Sequence, residues 1–346
     1  MAIVKLAVLQ FFIMSSLALA QAKPSTVAEL GAYQGADREA ILKAGAQKEG
    51  KVVWYTTLTA YKEIARVFEE KYPGVKVEAY RTNSTDLLKR FMSEAQANRH
   101  IVDVIETTPP TLMASRDAKL LAPYISPYLS NYPDDSKEDV EGGKVLWTTD
   151  RESIIGFGYN TKLLAAADAP KSFDDLLNPK LQGKFAVSGD ATGARIVGAM
   201  IKVKGEEFVK RLKAQNTKMY MVSGGALQEL MSAGEFPMSF SIFRNHVLAA
   251  QAKGAPSAWE PLDLTVANAG GIALPAHSNR PHAALLFIDF MISPEGQTLL
   301  EEKFRYASST KKYPFKRWYP EKGLTTAQYE KQFKHWQQLV RQMSRR

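Results

Sequence analysis

Three short segments of this 346-residue chain place small and hydroxyl-bearing residues where a predicted helix follows a predicted strand. They read RTNST (81–85), SGDATG (188–193) and SGGA (223–226). Backbone N–H groups at a helix start have no partner within the helix, glycine lets a ligand approach closely, and hydroxyls donate to oxygen. The pattern is typical of a site for a carboxylate, phosphonate or phosphate. The candidate contacts are Ser84, Ser188, Gly189, Thr192, Ser223 and Gly224.

Each of these segments, taken alone, is more typical of an ordinary helix cap or turn. Their recurrence in both halves of the chain is what favours binding. Arg81, Arg151 and Arg244 are candidate partners for an acidic ligand, because a guanidinium group can donate two parallel hydrogen bonds to an oxyanion. A plain surface role stays open for each arginine.

Hydroxyl residues also stand at the ends of the predicted strands in the first half of the chain. Thr56, Thr57 and Thr107, together with Glu106, occupy such positions. Open α/β sheets bind ligands at the carboxyl ends of their strands, so these threonines are further candidate contacts.

Motifs for catalysis and for tight metal binding are absent from the sequence. Cysteine does not occur, which excludes thiol catalysis and thiolate metal sites, and the five histidines show no metal-ligand spacing. The sequence contains no G-x-S-x-G, H-E-x-x-H or P-loop motif. We therefore predict a protein that is not an enzyme and uses no cofactor, with an exported hydrolase or transferase as a less favoured alternative.

The elements that must position these residues alternate between strands and helices. Such alternation predicts parallel strand pairing with right-handed crossovers, in two α/β units rather than one long sheet. The first unit contains strands at 51–56, 75–80 and 102–106 with helices at 59–72 and 85–97. The second contains strands at 183–188, 218–222, 237–243 and 270–275 with helices at 192–203, 206–215, 226–233 and 281–292.

The first twenty residues have the three-part pattern of a secretory signal peptide. Lys5 is followed by an apolar run over 6–19 that is shorter than a membrane span, and cleavage is predicted after Ala20. Ten Lys/Arg against two Glu give the segment 307–346 a net charge of +8, out of +9 for the whole chain. Because the rest is nearly neutral, the sequence does not favour nucleic-acid binding.

Three further motifs resemble, in the correct order, bacterial solute-binding proteins of ABC importers. They are FEEKYPGVKV (68–77), KSFDDLLNPKLQGK (171–184) and FIDFMISPEGQ (287–297). The resemblance is greatest to the subgroup of ferric-ion-binding, phosphonate-binding and sugar-phosphate-binding proteins. It implies a type II periplasmic-binding-protein fold, in which two α/β lobes joined by crossing strands close around a solute. It also implies a monomer of the periplasm that delivers its solute to an ABC permease in the inner membrane.

The resemblance implies these domain boundaries. After the signal peptide (1–20) comes an N-terminal extension (21–50). Lobe 1 comprises 51–150 and 264–306, and lobe 2 comprises 151–263. The crossings fall near 148–153, 261–265 and 307. The basic tail, 307–346, contains an amphipathic helix. One face of this helix carries Tyr329, Phe333, Trp336, Val340 and Met343. We expect this face to pack on lobe 2, and docking to the permease is the alternative.

Ferric iron is the alternative solute, and the sequence departs from the iron-binding relatives at two places. Phe243-Arg244-Asn245-His246 stands where they have adjacent tyrosines, and Thr56-Thr57-Leu58-Thr59 lacks their histidine. Tyr220 and Glu106 alone are a poor oxygen-donor set for Fe³⁺. We therefore expect a small anionic solute and no metal.

Overall fold

The computed structural model describes residues 24–345; the predicted signal peptide lies outside this range. Within it the chain forms thirteen strands and twelve α-helices. The strands are β1 Lys51–Thr56, β2 Lys76–Arg81, β3 Val104–Thr107, β4 Leu121–Ala122, β5 Lys137–Val140, β6 Lys144–Asn160, β7 Phe185–Ser188, β8 Thr217–Tyr220, β9 Met238–Phe243, β10 Ser257–Glu260, β11 Thr265–Pro275, β12 Arg317–Trp318 and β13 Ser344–Arg345. The helices are α1 Val27–Ala32, α2 Arg38–Glu49, α3 Tyr61–Lys71, α4 Ser84–Gln96, α5 Pro109–Asp117, α6 Ala191–Lys204, α7 Glu206–Arg211, α8 Gly224–Ala233, α9 Arg244–Gln251, α10 Pro281–Ile292, α11 Pro294–Phe304 and α12 Thr326–Met343.

The two predicted α/β units are present, but their sheets are joined. Strand order is β13-β8-β7-β9-β6-β11-β3-β1-β2, with β4, β5, β10 and β12 pairing at the sides. The first lobe contains the parallel set β2-β1-β3, and the second contains the parallel set β8-β7-β9. The long strands β6 and β11 pair antiparallel with each other between these sets. The two units were predicted not to form one long sheet. This part of the prediction was wrong, because hydrogen bonding continues through the crossing strands.

A third chain passage lies beside these two strands. The backbone N–H groups of Glu152 and Ala307 each donate to the other residue's carbonyl at 2.9 Å. The buried Glu152 carboxylate also accepts hydrogen bonds from Ser309 and Tyr319 and forms an ion pair with Arg317 at 2.7 Å. These contacts fix the start of the tail to β6. The domain boundaries given above remain predictions.

The helices cover the sheet as their apolar patterns require. Ten of the twelve residues of α10 are buried, because this helix is enclosed between the first-lobe sheet and α2 of the N-terminal extension. Helix α3 ends where Pro73 and Gly74 follow, and Gly74 has a φ of +93°, which favours glycine. No helix in residues 24–345 is long and apolar enough to cross a bilayer.

The C-terminal helix α12 packs on α6 and α7 of the second lobe. It begins with a capping box formed by Thr325 and Gln328. Trp336 lies against Gly198, where an added Cβ would be 2.8 Å from the indole ring. The buried residues of α12 are Tyr329, Trp336, Leu339, Val340 and Met343, and Phe333 is partly buried.

Candidate functional site

The strand registers define a cleft between the two lobes. Thr107, at the end of β3, is paired with Gly271, which pairs in turn with Thr149 on β6. Phe243, at the end of β9, is paired with Ile155, which also lies on β6. The carboxyl ends of both parallel sets therefore face each other across 149–155 of β6. This is a span of about 20 Å at the rise of an extended strand.

The first-lobe side of the cleft is organised around the carboxylate of Glu106, which is fully buried. Its Oε2 accepts hydrogen bonds from Thr56 Oγ1 at 2.6 Å, from the Thr57 N–H at 2.9 Å and from Thr57 Oγ1 at 3.2 Å. Both candidate threonines thus donate to an internal carboxylate. These donors could have bound the anionic group of a solute, but they already bind the carboxylate of Glu106.

Arg151 completes this cluster from the crossing strand β6. Its Nη2 lies 3.1 Å from Glu106 Oε1 and donates to Thr57 Oγ1 at 3.2 Å. Its guanidinium also lies 5.4 Å from the ring centroid of Tyr306. A Cβ on the opposing Gly270 would be 2.5 Å from Glu106 Oε1 and 2.9 Å from Arg151 Cζ, so a glycine is required there. Arg151, Thr56 and Thr57 are brought together as a unit.

Two acidic residues of this side were absent from the predicted contacts. Glu106 was recognised in the sequence as an acid at a strand end among threonines, but it was not counted as a contact. Asp150 is fully buried, at a β-bulge, and neither carboxylate oxygen has a hydrogen-bond partner in the described chain. Burial, reinforced by repulsion from Glu106 and opposed by Arg151, raises the pKa of Asp150 well above its ordinary value. Burial therefore favours the protonated, neutral form of the Asp150 carboxyl group.

The other first-lobe candidates lie around this cluster. Thr107 is buried, and its hydroxyl has no partner in the described chain. Ser84 accepts a hydrogen bond from Thr108 Oγ1 at 3.1 Å, while the cap of α4 is Asn83. Arg81 is exposed at the end of β2. Arg81 is thus the most peripheral of the predicted contacts.

On the second-lobe side, the start of α6 is capped by its own carboxylate. Asp190 Oδ1 accepts from Ser188 Oγ at 2.5 Å and from the Thr192 N–H at 2.7 Å. Ser188 is buried, and its N–H donates to Ser241 Oγ at 2.8 Å. The helix cap that the sequence left open for SGDATG is thus formed by Asp190, and aspartate is a preferred N-cap residue. Gly189 lies beneath the side chains of Met219 and Met221.

The third predicted segment begins α8. Ser223 caps the helix by accepting from the Ala226 N–H at 3.3 Å. A Cβ on Gly224 would be 2.5 Å from the ring of Phe243, so this glycine permits close packing with the end of β9. Both residues lie at the same edge of the second lobe as Ser188.

Arg244 is the first residue of α9 and is partly buried at this edge. Its guanidinium lies 5.6 Å from the ring centroid of Tyr313. Within residues 24–345 it forms no side-chain hydrogen bond and no ion pair. Because Tyr306 and Tyr313 belong to one crossing segment, Arg151 of β6 and Arg244 of α9 both lie against that segment.

The described residues contain no group of three or more His, Asp or Glu side chains arranged to hold a metal ion. Tyr220, the tyrosine at the end of β8, donates to Glu235 at 3.2 Å. Glu106 is engaged with Arg151 and the threonines, as described above. Tyr220 and Glu106 are thus each engaged with other residues.

Two α/β lobes whose strand ends face one cleft, joined by crossing strands, define the type II periplasmic-binding-protein fold. The chain belongs to the family of bacterial extracellular solute-binding proteins, whose model matches residues 63–326. Members of this family are the solute-binding components of ABC transporters. The resemblance inferred from the three motifs is confirmed.

Two relatives and one solved structure illustrate the range of solutes. The Fe(3+)-binding periplasmic protein of Serratia marcescens is 25% identical over 252 residues, which are 68% of this chain and 72% of that protein. A periplasmic protein of Salmonella typhimurium, provisionally assigned to 2-aminoethylphosphonate binding, is 28% identical over 38% of this chain and 39% of its own length. AfuA of Actinobacillus pleuropneumoniae, solved with fructose-6-phosphate, has a TM-score of 0.64 at 22% identity, covering 84% of this chain and 99% of AfuA.

Proposed function

We propose that this protein captures a small organic anion in the interlobe cleft and delivers it to an ABC permease in the inner membrane. The observation that supports this most directly is Arg244, a partly buried cation at the cleft edge without an ion pair in the described chain. A guanidinium group in this position can form two hydrogen bonds with a carboxylate, phosphonate or phosphate ester. Export to the periplasm and a monomeric state are part of the proposal.

Arg244 is the contact that we rank first. Arg151, Thr56 and Thr57 already bind Glu106, and Ser188 and Thr192 already bind Asp190. We therefore assign these residues to the walls that position the solute. The other predicted contacts, Arg81, Ser84, Thr107, Gly189, Ser223 and Gly224, remain proposals on the same cleft.

Ferric iron is the second candidate, since a relative of this chain binds Fe(3+). Arg244 argues against it, because an arginine repels a metal cation where an anionic oxygen ligand is needed. Catalysis is a weaker candidate. The family consists of solute-binding proteins, so we propose a binding protein without enzymatic activity.

Native mass spectrometry of the mature protein from a periplasmic extract tests the proposal. An organic anion of defined mass is expected, and Arg244→Ala should lose it while Arg211→Ala, an exposed arginine of α7, should retain it. A mass increment of iron, with visible absorption on adding Fe³⁺, would refute the anion and support the second candidate. Turnover of a phosphorylated compound would refute a pure binding function.

A further inference from the structure

Met219 and Met221 lie side by side at the cleft edge of the second lobe. A Cβ added to Gly189 would be 2.2 Å from Met221 Sδ and 3.2 Å from Met219 Sδ, so the glycine makes room for both sulfurs. Met221 is 74% exposed, more than the other exposed large hydrophobic residues of the described chain. Single exposed apolar residues are common, but two methionines over a glycine form a small apolar surface. We call Met219 and Met221 the methionine pair.

The methionine pair and Arg244 lie on opposite sides of one strand. Strand β7 ends at Ser188, directly before Gly189, and lies between β8, which leads into Met221, and β9, which leads into Arg244. Two strand spacings separate β8 from β9, which is about 10 Å. A cation without an ion pair in the described chain and an apolar surface thus lie at the ends of two strands that are this far apart in one sheet.

The space between them does not favour a second compact charge. The N-terminus of α6, next to Gly189, is capped by the Asp190 carboxylate. Across the cleft, the strand-end donors are bound to Glu106. A solute group lying over Gly189 therefore meets an internal negative charge and methionine sulfurs, and an apolar group fits there better than an anionic one.

We infer that the solute is an amphiphilic anion, with its charged group at Arg244 and an alkyl or aryl part on the methionine pair, two strands away in the sheet. This rests on the proposed function, since it takes Arg244 as the anion contact. Methionine suits the role because its flexible, polarizable side chain adapts to irregular apolar shapes. A protein of this kind would bind an anion with an apolar part more tightly than a small anion that is polar throughout.

Titration calorimetry with methyl-, butyl- and octylphosphonate, and with the matching alkyl carboxylates, tests the inference. Affinity should rise with chain length, by up to about fourfold for each methylene that reaches the methionine pair. Met221→Gln should remove most of the gain of the octyl over the butyl compound and leave the methyl compound unchanged. The matched control is Val203→Gln, at an exposed apolar residue of α6 far from Gly189, which should change nothing.

Arg244→Ala keeps the two proposals distinguishable, because it should weaken every member of a series by the same factor. Equal affinities for short and long members, or a length dependence unaltered by Met221→Gln, would overturn the inference and leave the anion proposal intact. Failure of every compound to bind would also overturn it, and native mass spectrometry would then judge the proposed function separately.

Discussion

Replacing Glu106 by glutamine should destabilise the protein far more than a single hydrogen-bond change suggests. Glu106 is fully buried and forms an ion pair with Arg151, which is 7% exposed, at 3.1 Å. Removing one partner of a buried ion pair leaves an uncompensated charge and costs about 3–5 kcal/mol. Because glutamine keeps an acceptor for Thr56 and Thr57, we expect the lower end, about 3 kcal/mol, which reduces the folding equilibrium constant by about a hundredfold.

Urea unfolding at pH 7, followed by tryptophan fluorescence and circular dichroism, gives the free energy of unfolding of each variant. The matched control is Glu235→Gln, because Glu235 pairs with Lys218 at 3.2 Å while 48% exposed. That change should have little effect on the free energy of unfolding, because exposed ion pairs contribute little to stability. Adding Arg151→Met to Glu106→Gln should recover part of the loss, since no unpaired charge then remains buried. A loss for Glu106→Gln no larger than that of the control would refute our account of the cluster.

Three further predictions concern the crossing strands and the C-terminal helix. The pKa of Asp150 is raised in the folded state, so the wild type loses stability as the pH rises and Asp150 ionises in the unfolded chain. Asp150→Asn removes this loss and should therefore be more stable than the wild type from about pH 4 upward, by up to about 1.4 kcal/mol per pH unit. Unfolding measured as a function of pH tests this. Gly270→Ala should cost about 1–3 kcal/mol in urea unfolding because its Cβ meets Glu106 and Arg151, whereas Gly225→Ala, in open space on α8, should cost nothing. Trp336→Ala should lower the free energy of unfolding by about 3–5 kcal/mol because Trp336 is buried, whereas Lys334→Ala, at an exposed residue of the same helix, should change it little. Unchanged thermal melting of Trp336→Ala together with lost transport would instead favour docking of α12 to the permease.

Elements with a regular apolar pattern could be predicted from the sequence. Strand β1 and helix α10 have the predicted bounds, and α6 differs from the prediction by one residue at each end. Helix α5 was not predicted, because it begins with two prolines and has no clear apolar stripe. Short strands such as β12 and β13 form only through their partners and leave little local signal.

Much of the candidate site depends on contacts between distant parts of the chain. Glu106 and Arg151 meet only because β3, β11 and β6 lie in adjacent register, which no local spacing encodes. The cap of α6 is different, because Asp190 stands in the sequence directly before the helix and could have been identified as its N-cap. The proximity of Met219, Met221 and Gly189 required the pairing of β7 with β8.

The packing of α12 sets the order in which the molecule can be completed during synthesis. Domains generally fold from the N-terminus as the chain emerges from the ribosome. Here the face of α6 that Trp336 covers stays open until α12 has been made, because most of the second lobe and part of the first are synthesised between these two helices. The second lobe therefore cannot close its core before α12 has emerged, and a chaperone that binds apolar segments would find this face accessible until then.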